Sequence, residues 1–364
     1  MPEPEPEPGP EAESAELGSG ATFLAEIREQ PAALSRLLER QEDFHHVAAL
    51  MHQRGARTIR IVGHGSSDNA ASFGVYAFGL GPRWTAFRDS ISLTVHYGTR
   101  LDFTGSTVLA LSQSGRTPDV LEYVERSRAA GALTVALTNE PDSELAAAAE
   151  AVLPLEAGSE HAVAATKTYL NQIAALLLLA AHLAGTERRY AGGIRLVSEE
   201  LEGLIPDLER RVVPLAASFA FTGRMFVIGR GAEFATAREI ALKLLETTRI
   251  AAEPLTSTDL AHGPVAALDP LFPVWAVASA DETLPAVLEA AERIRATGAA
   301  LIASGGAADR LDAEYSLPIP DLGSRLLSPL LSVVPGQLFA WALARAKGLD
   351  PDRPRGLSKV TLAR

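Results

Sequence analysis

The 364-residue sequence contains no cysteine. Disulfides, thiolate metal sites and cysteine nucleophiles are therefore excluded from its chemistry. It also lacks a long apolar run. The longest, IAALLLLAAHLA at 173–184, is about half of what a membrane helix needs and contains His182. No basic segment precedes an apolar stretch near Met1, so no secretory signal is read there. Positive charge is scarce: 33 Lys and Arg face 45 Asp and Glu, a net charge of −12. That balance argues against a nucleic-acid surface, because phosphate backbones are bound by clustered Lys and Arg. A small anion is still compatible, since a local nest of backbone N–H groups can hold one. His45 and His46 have no acidic or cysteine ligands at useful spacing, so no metal is expected. A cytoplasmic protein with no membrane and no nucleic-acid partner is the expectation.

What is present is organised in duplicate. Residues 1–20 alternate Pro with Glu and should form a disordered tail, because such a segment cannot bury a core. A helical segment is read over 22–54. A short strand then runs into Gly63-His64-Gly65-Ser66-Ser67 and a helix. MFVIGRGAEFATAREIA at 225–241 says the same thing again: strand, Gly229-Arg230-Gly231, helix. At nearly the same offset, TVLALSQSG (107–115) is matched by PVWAVASAD (273–281), and ALTVALTNE (132–140) by AALIASGGA (299–307). The duplication sets two domains. Short apolar strands alternating with longer helical stretches predict an α/β fold with parallel sheets covered on both faces. Such sheets bind ligands beyond the C-terminal ends of their strands. The expected bounds are 21–193 for the first domain with its N-terminal helix, 194–213 for a linker helix, 214–347 for the second domain and 348–364 for a tail.

Five polar or small residues crowd the strand-to-helix joint in LALSQSGRTPDVL (109–121). The hydroxyls of Ser112, Ser114 and Thr117, with the free N–H groups of the next helix, form a cradle for a phosphate; an ordinary capped loop is the alternative. The matching turn of the second copy, Ser279-Ala280-Asp281-Glu282, carries carboxylates that would repel a phosphate, so only the first copy should hold the anion. GHGSSDN has Asp68 where a dinucleotide fingerprint has Gly, which counts against a dinucleotide. Ser66 and Ser67 remain donors at a helix start. In GSEHAVAATKTY (158–169), Glu160, Thr166 and Lys167 cap a helix or contact a ligand. In AREIALKLLETT (237–248), Glu239, Lys243 and Glu246 share one helix face. Alone, that pattern reads as a solvated stripe with pairing worth about 0.3 kcal/mol. His262 precedes a Gly-Pro turn in DLAHGP and alone reads as an exposed loop histidine.

Taken together, EIREQP (26–31), GHGSSDN, LSQSGRT, AATKTY, REIALKLLE, HGP and PRGLSKV (354–360) resemble, in order, the sugar isomerase (SIS) family. The likeness is to the isomerase half of glutamine–fructose-6-phosphate aminotransferases, and to glucosamine-6-phosphate deaminases of the SIS type. It covers most of the chain beyond the tail. It implies two tandem three-layer αβα, flavodoxin-like SIS domains. It implies that Ser66, Ser67, Ser112, Gln113, Ser114 and Thr117, with Val163, Ala165 and Thr166, bind a sugar 6-phosphate. By the same resemblance Glu246 is the proton-shuttling glutamate and His262 a ring-opening histidine shared across a homodimer. Lys359 is then a lysine able to form a Schiff base.

No cofactor is implied, because moving a proton between C1 and C2 of a sugar phosphate needs only a base, a ring-opening group and help at the carbonyl. Departures are specific. Ala165 replaces a serine, Arg116 an acidic residue that could now reach the phosphate, Ala261 a lysine and His64 a cysteine. The synthase's glutaminase domain, whose nucleophile is a cysteine, has no counterpart in the sequence. The expected activity is therefore that of an amino-sugar-phosphate isomerase/deaminase, glucosamine 6-phosphate going to fructose 6-phosphate and ammonia. The alternatives are a deglycase or ketose isomerase on another 6-phosphosugar, a synthase subunit fed with ammonia, or a sugar-phosphate sensor.

Overall fold

A computed structural model describes residues 19–359. The expected disordered tail falls almost wholly outside them, as do residues 360–364. The segment read as one N-terminal helix is three: α1 (Ala21–Arg28), α2 (Gln30–Leu38) and α3 (Gln41–Gln53). The first lobe follows as β1 (Thr58–Val62), α4 (Ser66–Leu80), β2 (Thr85–Arg88), a short α5 (Ile91–Thr94), β3 (Ser106–Leu111), α6 (Pro118–Ala129), β4 (Leu133–Thr138), a short α7 (Glu144–Ala148), β5 (Ala151–Pro154) and α8 (Lys167–Ala184). The helix joining the lobes, α9 (Glu187–Ser218), starts before and ends after the expected 194–213. The second lobe is β6 (Arg224–Gly229), α10 (Glu233–Thr248), β7 (Ala251–Thr256), α11 (Ser257–Ala261), β8 (Val274–Val277), α12 (Leu284–Ala296), β9 (Leu301–Gly305), β10 (Tyr315–Pro318) and α13 (Ser328–Ala346).

Both sheets are five-stranded and parallel. The first runs β2-β1-β3-β4-β5, and the second repeats that order as β7-β6-β8-β9-β10. Strand order reverses between β1 and β3, the point at which parallel sheets of this topology leave a crevice. Pairing of Ile61 with Leu109 and of Val62 with Ala110 brings the two strands to a common end. The turn after β1 (63–67) and the turn after β3 (112–117) therefore lie side by side.

The strands are nearly continuous apolar runs because both faces are covered; all six residues of β3 and of β4 are buried. The apolar run at 173–184 lies within α8, a core helix on which 16 of 18 residues are buried. No helix among the described residues is long and apolar enough to cross a membrane. One hydrophobic cluster joins the lobes, from Ile59 and Leu109 through Leu176 to Trp275 and Phe339. Sequence-distant ends are also tied together: the Asp352 carboxylate accepts N–H bonds from Gly20, Thr22 and Phe23, and the Trp341 indole donates to Gly20 O. A carboxylate at a helix N-terminus satisfies orphan donors there, and this one fixes where the C-terminal segment begins.

α10 and α13 approach closely at Gly336, where a Cβ would stand 2.3 Å from the buried Ile240 Cγ1. Gly336→Ala is expected to lower stability by about 1–3 kcal/mol, because the packed helices have no space to give. A urea-unfolding midpoint equal to that of the parent chain would contradict this packing.

Candidate active site

A cavity of about 530 Å³ opens at the β1/β3 crevice. Its wall includes Ser66 and Ser67, Ser112 to Ser114 and Thr117, Glu160, Val163, Ala165, Glu246, Ser358 and Lys359, with His64 and Asp119. Twelve separate sequence expectations bear on this site, and most converge here from five segments of the chain.

The turn after β3 is shaped by its own hydroxyls. Ser112 Oγ accepts the Gly115 N–H at 3.1 Å and lies 3.1 Å from Thr117 Oγ1. Gly115 has φ +61°, and a Cβ there would stand 1.9 Å from Ser143 Oγ, so no other residue fits. Thr117 holds the N-cap position of α6 without a side-chain cap bond, and Pro118 fills its first turn, giving up an N–H the helix would not use. Hydroxyls thus gather at one spot beside the start of α6. Arg116, for which a reach to the anion was expected, is exposed and off the cavity wall.

Glu246 stands on α10, and its helix face is not the solvated stripe that its charges suggest. Glu239 and Lys243 are fully buried. Lys243 Nζ lies 2.5 Å from Glu246 Oε2 and 3.4 Å from Glu239 Oε1. The first lobe completes the network: Ser66 Oγ and Asn69 Nδ2 each donate to Glu239 at 2.8 Å. Burial alone would lower the Lys243 pKa, but the two carboxylates outweigh it and raise the pKa above the ordinary lysine value. Burial raises Glu239, against the pull of Lys243. One helix turn further on, Glu246 meets the cavity held by a cation it shares.

Lys359 arrives on the C-terminal segment and donates to Glu160 Oε2 at 2.8 Å and Ala162 O at 2.7 Å. Glu160 is buried and also accepts the Thr166 and Thr168 N–H groups that open α8. Although desolvation works the other way, Lys359 and these bonds hold its pKa below the ordinary value. Helix cap and ligand-site wall are the same carboxylate.

Three residues weighed for the site lie off its wall. Thr166 is fully buried, with its hydroxyl unpartnered, and does not line the cavity. It is the N-cap residue of α8, and the cap geometry turns it inward. Lys167 is buried and directed to Glu29 and to Ser159 O. His262 is exposed at the end of α11 and is not on the cavity wall of its own chain.

In the second lobe the corresponding turn lines a separate cavity with Asp281, Glu282 and Asp321. Behind it the buried Glu233 carboxylate accepts hydroxyl bonds from Ser279 (2.5 Å), Thr236 (2.7 Å) and Ser332 (2.8 Å). Hydroxyls that could face an anion are already occupied by one from the chain itself.

The SIS domain family matches residues 53–182 and 219–304. The chain belongs to the SIS family. It is 34% identical over 373 residues to the glutamine–fructose-6-phosphate aminotransferase (isomerizing) of Leifsonia xyli, an alignment covering 96% of this chain and 60% of that one. The chain thus spans less than two thirds of the curated relatives it matches. Among solved structures, the C-terminal domain of the Francisella tularensis glucosamine-fructose-6-phosphate aminotransferase aligns at TM-score 0.84 and 26% identity, over 92% of this chain and 98% of that one. A glucosamine-6-phosphate deaminase from Thermotoga maritima shares the fold at TM-score 0.74 and 21% identity, over 94% and 100%.

Sequence reasoning gave no role to Asn69, Gln172 (which donates to Ser67 Oγ at 2.8 Å), Asp119 or Glu26, and it read the buried Glu239 and Lys243 as part of a solvated stripe. A signal for Lys243 exists: with Ile240, Leu244 and Thr247 it falls at i, i+3, i+4 and i+7, the apolar face of α10. Glu26 on α1 accepts N–H bonds from His161 and Ala162, beside Glu160 and Lys359. Burial, then the Glu160 charge, pushes its carboxyl up from 4.5 to about 7. Between those values the folded chain keeps a proton that the unfolded chain releases, so stability falls as pH rises through the window. Glu26→Gln is expected to remove that component, about 3 kcal/mol across the window. Urea unfolding at a series of pH values checks it; parallel parent and variant curves would refute it.

Proposed function

We propose that the chain is an amino-sugar-phosphate isomerase/deaminase that converts glucosamine 6-phosphate to fructose 6-phosphate and ammonia. The observation that carries this reading is one cavity with a hydroxyl-lined anion turn, Glu246 and Lys359 on its wall. The turn at Ser112–Thr117, with Ser66 and Ser67, holds the phosphate. Glu246 takes the proton from C2 of the open-chain aldose and returns it to C1. As the C2–H electron pair forms the C1=C2 bond, the carbonyl pair moves to the C1 oxygen, which takes a proton. The C1=C2 pair then forms the new C1–H bond while the nitrogen lone pair closes C2=N and an N–H proton is lost, leaving a C1 hydroxyl and a C2 imine. Water adds to that imine, and ammonia leaves as the ketose carbonyl forms. Lys243, buried between two carboxylates, holds the Glu246 side chain at the cavity. Lys359 meets the sugar carbonyl, positioned by Glu160. His262, exposed and outside its own cavity, serves the cavity of a second copy in a homodimer.

The 364 residues hold no cysteine to act as a glutaminase nucleophile, and in the proposed direction ammonia is the product. The named aminotransferase relatives favour one second reading, in which fructose 6-phosphate and supplied ammonia run to glucosamine 6-phosphate.

Purified protein given glucosamine 6-phosphate without glutamine is expected to yield ammonia and fructose 6-phosphate in equal amounts. Glu246→Gln is expected to reduce kcat by about 10²–10⁴. Near-normal turnover by that variant would remove Glu246 as the base, and turnover only in the reverse direction would favour the second reading.

A further inference from the structure

We propose that His64, paired with Asp119, is a specificity-determining residue that admits a phosphate dianion to a cavity whose wall carries three carboxylates. The inference rests on the sugar-phosphate reading above and assigns a role to a residue outside it.

Charge is the difficulty the cavity presents. Asp119, Glu160 and Glu246 all line it. Lys359 donates to Glu160, and Arg116 stays off the wall. Among the described residues, His64 is the other lining side chain able to carry a positive charge.

Asp119 sits in the first turn of α6, directly after the hydroxyl turn. Its side chain is 9% exposed, and its Oδ1 is buried with no partner. A carboxylate and a phosphate are both drawn to one helix N-terminus, and side by side they repel. His64, at the neighbouring turn after β1, places Nε2 2.7 Å from Asp119 Oδ2 while its ring stays 55% exposed. In its imidazolium form the ring gives one N–H to Asp119, and the other nitrogen has no partner among the described residues. A bound dianion then meets a neutral pair with a spare donor instead of a bare carboxylate. An unphosphorylated sugar gains nothing from that pair, so the pair selects sugar phosphates.

The test is calorimetric binding of inorganic sulfate, whose charge does not change near neutral pH, to the full chain. His64→Ala is expected to weaken sulfate about tenfold, the scale of a half-exposed charge contact. Asp119→Asn in that background is expected to restore affinity to within about twofold, because it removes the repulsion that His64 offsets. A purely structural role for His64 gives no such rescue. His64→Lys, which keeps a positive charge, is expected to bind sulfate as the parent does, and His64→Gln replaces the alanine variant if that one fails to fold. Equal affinity in parent and His64→Ala, or a double variant as weak as the single one, overturns the proposal alone. A parent chain that binds neither sulfate nor inorganic phosphate overturns the phosphate cradle and this proposal together.

Discussion

One buried ammonium organises this molecule. Lys243 lies fully buried between Glu239 and Glu246 on α10, and the first lobe reaches over to grip Glu239 through Ser66 and Asn69. A buried charge is tolerated only when it is paired and hydrogen-bonded, and breaking such a pair typically costs about 3–5 kcal/mol. The network therefore constrains three things at once: the angle between the lobes, the start of α4 with its Ser66 and Ser67 donors, and the position of Glu246 at the cavity. Loss of any member disturbs both the fold and the site, since the same atoms serve both.

The duplicated architecture explains why one lobe carries a cavity suited to a sugar phosphate and the other does not. Both sheets have the same strand order and the same crevice. In the first lobe, Ser67 opens the helix after the Gly-x-Gly turn and the crevice stays free. In the second, Glu233 occupies the corresponding place, and its carboxylate takes up the hydroxyls of Ser279 and Ser332. The second lobe instead contributes α10, whose Glu246 lines the crevice of the first. The two equivalent frames have diverged: one leaves its crevice open, and the other supplies a carboxylate to that crevice's wall.

Much of this was legible from sequence because it depends on local pattern. Continuous apolar runs mark the buried parallel strands, and the strand-to-helix joint at Ser112–Thr117 stands out because a turn needs fewer polar residues than it has. What escaped depends on contacts far apart in the chain. Nothing near Lys243 announces that Ser66 and Asn69 will face its partner, and a Glu-Lys-Glu stripe looks the same whether water or another helix covers it. The Asp352 cap on α1 and the Glu26 carboxylate beneath the Lys359 segment join residues over 130 positions apart. Thr166, which the family resemblance implied as a sugar contact, instead lies fully buried at the N-cap of α8.

The central claim is that Glu246 moves a proton between adjacent carbons of a sugar anchored by its phosphate. The most direct measurement is turnover of glucosamine 6-phosphate carrying deuterium at C2, with the product sugar read by NMR and mass spectrometry. The account predicts fructose 6-phosphate with deuterium at C1 or exchanged into solvent, and one ammonia for each ketose. Turnover that leaves deuterium on C2, or no turnover of this substrate in either direction, would contradict it.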